Sequence, residues 1–285
     1  MMKSNIEIRI YSTLIVVSCF IIFLVPFESH AIRGHYLDDR EFPEQSCKIT
    51  YFFSDGTSNM CSGTIISKKH LLTAGHCEQG KNKQALTFVS CGKSETRMRV
   101  IRKTVHPNFS FVHPSLFSFL SHKDPNKSEK TVINDFAILE VEDNFNIPPV
   151  RMIGDEIEID KFLNQPALCA YYGYGWEGPY KGGNPHGATL PKIDRVDSTK
   201  EVIATRGSNY TSFGDSGGSV LCQDENYEQV LIGVISENRP GNRSYFALLE
   251  KYIDWINAVI TDTKPEPTIA QQPIYEESAE ISIQY

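Results

Sequence analysis

Short runs of β-branched and aromatic residues, broken by Gly, Pro, Asn and Ser, recur along the chain after Ile32. The runs Cys47–Phe53, Gly63–Ser67, Ala85–Ser90, Met98–His106, Phe136–Val141, Ala167–Tyr174, Glu201–Thr205, Gly218–Cys222, Gln229–Ser236 and Tyr245–Leu249 each predict a strand. Many short strands at this spacing point to a sandwich or a barrel. A helical period stands out once. Tyr252, Ile253, Trp255, Ile256, Val259 and Ile260 share one face of a helix predicted over Glu250–Ile260. Beyond it, Thr261–Tyr285 carries five acids against one Lys and includes prolines, which predicts a disordered tail. No internal repeat interrupts this order.

The first thirty residues follow another pattern. Lys3 and Arg9 precede an apolar run from Tyr11 to Phe27, and Ser29-His30-Ala31 follows with small residues at the two positions a signal peptidase reads. The expected reading is a signal peptide over residues 1–31, cleaved before Ile32. The run approaches membrane-spanning length, so an uncut signal anchor is the rival. Pro26 and the small residues favour cleavage, after which no stable membrane anchor is expected.

Composition narrows the remaining choices. The 285 residues are 22% charged and 40% hydrophobic, with formal charge −7. Such a chain buries a sizeable core, and its acidic balance argues against nucleic-acid binding. Export gives the cysteines a meaning. Cys19 leaves with the signal, and Cys47, Cys61, Cys77, Cys91, Cys169 and Cys222 remain. Six cysteines in an oxidising compartment suggest three disulfides, with about 15 pairings open from the sequence alone. Sequons at Asn108, Asn126, Asn209 and Asn242 are candidate glycosylation sites and agree with a secreted, extracellular protein. No C-x-x-C or H-E-x-x-H occurs, so no metal and no cofactor are expected.

Two segments carry chemistry: Leu71-Leu72-Thr73-Ala74-Gly75-His76-Cys77 and Gly214-Asp215-Ser216-Gly217-Gly218, with Asn134-Asp135-Phe136-Ala137-Ile138-Leu139 between them. Here the sequence resembles the chymotrypsin/trypsin family of serine peptidases, from Ile32 to about Ile260. A Ser hydroxyl is a poor nucleophile at neutral pH. It needs a base within reach, and that base needs an orienting partner. The resemblance implies Ser216 as nucleophile, His76 as general base and then acid, and Asp135 as its orienter. It implies an oxyanion hole from the N–H groups of Gly214 and Ser216. His35, His70, His106, His113, His122 and His186 match no motif and read as structural.

The fold implied is all-β: two packed antiparallel six-stranded β-barrels with a C-terminal α-helix. The first barrel spans about residues 32–150, the second about 151–249, and the helix 250–260. Family members in their active form begin with an apolar residue whose ammonium pairs with the Asp before the nucleophile. Ile32-Arg33-Gly34-His35 resembles that start, so Ile32 and Asp215 are expected to form the activating ion pair. Signal cleavage alone would expose it, without a zymogen stage. The resemblance also implies the bridges Cys61–Cys77 and Cys169–Cys222, which leaves Cys47–Cys91.

The resemblance departs from the family around the substrate pocket. Ser212 stands where the family usually has a Cys, so a bridge bracing the pocket is missing. Tyr210 occupies the pocket floor instead of an acid, which removes the basis for cleavage after Lys or Arg and leaves an aromatic that can fill the space. Ser236 matches a Ser beside the catalytic Asp and on the substrate-binding strand. Glu237-Asn238 replaces the usual Trp-Gly, and Asn238 is taken as substrate-binding with Tyr210 and Ser236. The Trp176 to Ser216 interval is shorter than in typical members. About a dozen extra residues within Asn108–Lys130 either restrict the cleft or decorate it.

The expected function is a secreted serine endopeptidase of restricted, non-tryptic specificity. Its partners would be protein or peptide substrates and protease inhibitors. The alternative is a catalytically inactive, protease-like binding or regulatory protein on the same fold. Such relatives usually lose a triad member or an oxyanion glycine, and this chain keeps all of them.

Overall fold

A computed structural model describes residues 42–92, 96–111, 132–154, 156–175, 183–190, 194–195, 202–206, 210–239 and 243–261. Ile32, the sequons at Asn126, Asn209 and Asn242, most of the 108–130 insertion and the tail after Thr261 lie outside them.

The first unit contains β1 (Ser46–Phe52), β2 (Ser58–Ile65), β3 (His70–Thr73), β4 (Leu86–Cys91), β5 (Met98–Val105), the short pair β6 (Ser110–Phe111) and β7 (Val132–Ile133), and β8 (Ala137–Val141). Six of these close into an antiparallel barrel in the order β1-β2-β3-β8-β5-β4. Alternation explains the closure. Along β1, Cys47, Ile49 and Tyr51 point inward and are fully buried, while Lys48, Thr50 and Phe52 face outward. Leu71, Leu139, Val89 and Val141 fill the same interior.

The second unit contains β9 (Arg151–Met152), β10 (Cys169–Gly173), β11 (His186–Thr189), β12 (Asp194–Arg195), β13 (Val202–Arg206), β14 (Ser219–Gln223), β15 (Gln229–Arg239) and β16 (Arg243–Leu248). They form one sheet in the order β11-β10-β14-β15-β16-β13-β12, with β9 pairing in parallel on β15. Among the described residues this sheet does not close on itself. Tyr171, Phe246, Val220, Ile232 and Val234 are its fully buried centre.

Three disulfides staple the two units. Cys47–Cys91 crosslinks β1 and β4, Cys169–Cys222 crosslinks β10 and β14, and Cys61–Cys77 ties β2 to the turn after β3. All three expected pairings are therefore present. Each typically contributes about 2–4 kcal/mol.

One helix was not expected. Helix α1 covers Glu156–Asn164, with Ile159, Phe162 and Leu163 buried on one face. Its opening Glu-Ile-Glu-Ile alternates like a strand and hides the helical period. The C-terminal helix α2 covers Ile253–Ile260 after a 3-10 turn over Glu250–Tyr252, so the expected helix starts with a tighter turn. Thr261, read from sequence as the first tail residue, instead ends this helix by donating its N–H to the Asn257 carbonyl at 3.0 Å.

The 3-10 turn and helix α2 follow the second unit and share its core through Ile256 and Val259, yet they also pack on the first unit. The His106 ring meets Tyr252 and Trp255 edge-on, with centroids 5.2 and 4.8 Å away, and Phe136 lies 4.4 Å from Tyr252. Burial against these rings lowers the His106 pKa to about 4, which keeps the imidazole neutral. The Tyr252 hydroxyl donates to Asn134 Oδ1 at 2.8 Å, and Asn134 Nδ2 donates to the Asn108 carbonyl at 2.7 Å. Asn134 holds φ +51°, a conformation Asn tolerates better than most residues. Asp135 follows directly.

Candidate active site

His76 sits in a single 3-10 turn, Gly75–Glu78, directly after β3. Two restraints hold the turn in place. Cys77 is bonded to Cys61, and Glu78 is buried in the first barrel, where its carboxylate accepts the Tyr51 hydroxyl and pairs with Lys103 Nζ at 3.0 Å. Burial raises the Glu78 pKa, against the lowering pull of Lys103 and the Tyr51 hydrogen bond.

Asp135 is 2% exposed and gathers three donors. The His76 backbone N–H donates to Oδ1 at 2.8 Å, His76 Nδ1 lies 2.9 Å from Oδ2, and the Ser236 hydroxyl donates to Oδ2 at 2.5 Å. The carboxylate fixes Nδ1 as the protonated nitrogen and leaves Nε2 as the basic one. Ser236 therefore stands against Asp135, as expected, and brings a hydroxyl from the second unit onto an acid of the first.

Burial of His76 opposes its charged form, but the charge and hydrogen bond of Asp135 and the charge of Glu237 outweigh it and raise the pKa above the ordinary histidine value. Glu237 thus acts on the imidazole from the neighbouring strand. In Glu237→Gln, proton titration of His76 followed by nuclear magnetic resonance should show a lower pKa than in the parent. An unchanged titration would remove Glu237 from the site's electrostatics.

The Gly214–Gly218 turn comes from the second unit and docks against the first. The Ser216 carbonyl accepts the Ser62 N–H at 2.8 Å and lies 3.7 Å from Cys77 Sγ, beside the His76 turn. Gly217 has φ +81°, and a β-carbon there would lie 2.0 Å from Thr73 Oγ1 and 2.4 Å from the Ser62 carbonyl oxygen. Only glycine permits that approach. The N–H groups of Asp215, Gly217 and Gly218 donate to the carbonyls of Ser212, Ile235 and Asp215. Among the described residues, those of Gly214 and Ser216 have no acceptor.

Asp215 is fully buried. Gly175 N–H donates to its Oδ1 at 2.7 Å and Ser212 N–H to its Oδ2 at 2.8 Å. Burial nevertheless raises its pKa to about 7, because two amides only partly replace water around a carboxylate. No cation pairs with it among the described residues.

Tyr210 is half-buried and precedes Thr211, whose N–H donates to Ser244 Oγ at 2.8 Å. Asn238 lies on β15 opposite Ser244, which places Tyr210 and Asn238 around the same β16 residue. Asn108 is exposed, and its carbonyl oxygen is held by Asn134. No cluster of potential metal ligands occurs among the described residues. Sequence reading did not single out Ser62, and it placed Tyr252 only on the apolar face of the last helix. A serine in a strand and an aromatic in a helix carry no signal of the long-range partners they find.

Known proteins resemble this chain. The trypsin family model matches residues 38–256. Chymotrypsin-C of Bos taurus is 26% identical over 259 residues, covering 83% of this chain and 91% of its own length. An inactive CLIP domain-containing serine protease, A28 of Anopheles gambiae, is 25% identical over 228 residues, covering 71% of this chain and 56% of its own length. A solved HL collagenase structure has the same fold, with a TM-score of 0.56 and 22% identity, covering 81% of this chain and 98% of that one. With the family model spanning the first strand of the first barrel through the first half of the C-terminal helix, the chain belongs to the trypsin family of chymotrypsin-like serine proteases.

Proposed function

We propose that the chain is a secreted serine endopeptidase that hydrolyses peptide bonds through an acyl-enzyme. The observation that carries this reading is the buried Asp135 carboxylate, which grips His76 at both its backbone N–H and Nδ1. In the proposed reaction, His76 Nε2 takes the Ser216 Oγ proton as that oxygen attacks the scissile carbonyl carbon. The carbonyl oxygen becomes an oxyanion and accepts the N–H groups of Gly214 and Ser216. The C–N bond then breaks, and His76 returns its proton to the leaving amine. Water, deprotonated by His76, hydrolyses the ester and regenerates Ser216. A missing oxyanion donor typically costs about 3 kcal/mol at the transition state.

Three disulfides and a leader pattern at residues 1–31 support export. Cleavage before Ile32 would free an ammonium for Asp215, which pairs with no cation among the described residues. Tyr210 and Ser212 support a restricted, non-tryptic pocket, and inhibitors of this protease class are the expected protein partners.

The second reading is a non-catalytic binding protein. The altered pocket supports it, as does the similarity to the inactive A28 relative. A fluorophosphonate probe decides between the two. The protein starting at Ile32 should be labelled on one residue, and Ser216→Ala should lose the label entirely. Absence of labelling in the parent would reject the peptidase reading and favour the binding-protein one.

A further inference from the structure

Ser62 lies in β2, between the disulfide cysteine Cys61 and Gly63. Side chains alternate along a strand. At Gly63 a β-carbon would point into the barrel against Ile49 and Leu71, so Ser62 points the other way, toward the second unit. It is 1% exposed and makes four hydrogen bonds. Its hydroxyl donates to the Gly214 carbonyl at 2.8 Å and accepts the Tyr174 N–H at 2.9 Å. Its N–H donates to the Ser216 carbonyl at 2.8 Å, and its own carbonyl accepts the Thr73 hydroxyl at 2.7 Å.

This one residue therefore holds the carbonyls on both sides of Asp215. A backbone bond to the Ser216 carbonyl is open to any non-proline residue at this position, but the link from Gly214 to Tyr174 requires a hydroxyl that both donates and accepts. Tyr174 is followed by Gly175, the amide that holds Asp215 Oδ1. The hydroxyl thus joins two segments of the second unit, the Tyr174–Gly175 turn and the nucleophile turn, to a strand of the first. That strand is tied through Cys61 to the turn that carries His76.

We propose that Ser62 is a positioning residue. Its hydroxyl fixes the Gly214 carbonyl and, through it, the N–H groups of Gly214 and Ser216 and the Ser216 side chain relative to His76. The effect on rate rests on the peptidase reading, whereas the effect on the turn does not. Ala at this position leaves two buried groups, the Gly214 carbonyl and the Tyr174 N–H, without their partner. The turn then relaxes while the substrate-binding strands stay as they are.

The test uses the protein starting at Ile32, with Ser62→Ala and, as a control, Ser46→Ala. Ser46 places another buried hydroxyl between the units, 3.3 Å from Ser219 Oγ, which lies on β14 just after the turn, and it makes no hydrogen bond to the Gly214 or Ser216 carbonyl. Amide hydrogen exchange is followed by mass spectrometry in the peptide spanning residues 212–218. Ser62→Ala should speed exchange there about tenfold, and Ser46→Ala should not. With a peptide ester substrate, Ser62→Ala should lower kcat about tenfold with KM unchanged, the pattern of an interaction felt at the transition state. Exchange in Ser62→Ala equal to the parent, or equal loosening in Ser46→Ala, overturns the proposal. A rise in KM with kcat unchanged also overturns it. A parent that does not react with fluorophosphonate while Ser62→Ala still loosens the turn supports the anchoring and rejects only the peptidase reading.

Discussion

Asp135→Asn should fold as the parent does and lose about ten-thousandfold in kcat/KM toward peptide substrates. The geometry around the carboxylate gives the reason. Asp135 faces three donors: the His76 backbone N–H, His76 Nδ1 and the Ser236 hydroxyl. A carboxylate accepts all three. A carboxamide has one oxygen and one NH2 group. With the NH2 toward the backbone, two donors collide in a buried site. With the oxygen toward the backbone, the NH2 faces Nδ1 and forces the proton onto Nε2, the nitrogen that has to accept the Ser216 proton. The second arrangement satisfies the backbone, so the variant is expected to keep its fold and lose its base. The measurement is kcat/KM against pH beside a thermal melt. A melting temperature near the parent's with activity preserved would show that Asp135 does not set the tautomer.

The second large effect concerns the mature start. A chain retaining Ala31 ahead of Ile32 should react with fluorophosphonate about a hundred- to a thousandfold more slowly than one starting at Ile32. An unpaired buried charge costs about 3–5 kcal/mol, and the turn carrying Ser216 is what gives way. Stability should diverge with pH as well. Without a cation, the folded pKa of Asp215 is about 7, above the value of about 3.9 for an unfolded aspartate. A raised folded pKa adds stability that is complete below the unfolded value and is lost as pH rises through the folded one. The Ala31-started chain should therefore melt at progressively lower temperature between pH 4 and 7. In the Ile32-started chain the ammonium keeps Asp215 ionised, and this loss should be absent. Parallel melting curves and equal labelling for the two chains would break the proposed Ile32–Asp215 pairing.

Much of this was legible in the sequence because the decisive signals are local. β-Prone runs bounded by turn residues mark β1, β4, β5 and β15, and the face of Tyr252, Ile256 and Val259 marks the last helix. The motif around His76 and the one around Ser216 mark both sides of the site by sequence alone. Helix α1 was missed because Glu-Ile-Glu-Ile satisfies the period of a strand as well as the start of a helix. Ser62 was missed for a different reason. Its partners Gly214 and Ser216 are more than a hundred positions away, and only the docking of the two units brings them together. The Tyr51–Glu78–Lys103 cluster is likewise assembled by barrel closure rather than by any spacing in the chain.

The contact of Tyr252 and Trp255 with His106, Phe136 and Asn134 also sets a clock. A ribosome delivers the chain from its N-terminus, so the residues around Asp135 emerge long before those of the last helix. Until Tyr252 is out, Asn134 has no phenolic hydroxyl to hold its left-handed turn. A chain interrupted in its final stretch carries His76, Asp135 and Ser216 but lacks the piece that secures the loop between them. Translation itself thus withholds a finished site until the start of the last helix has been made.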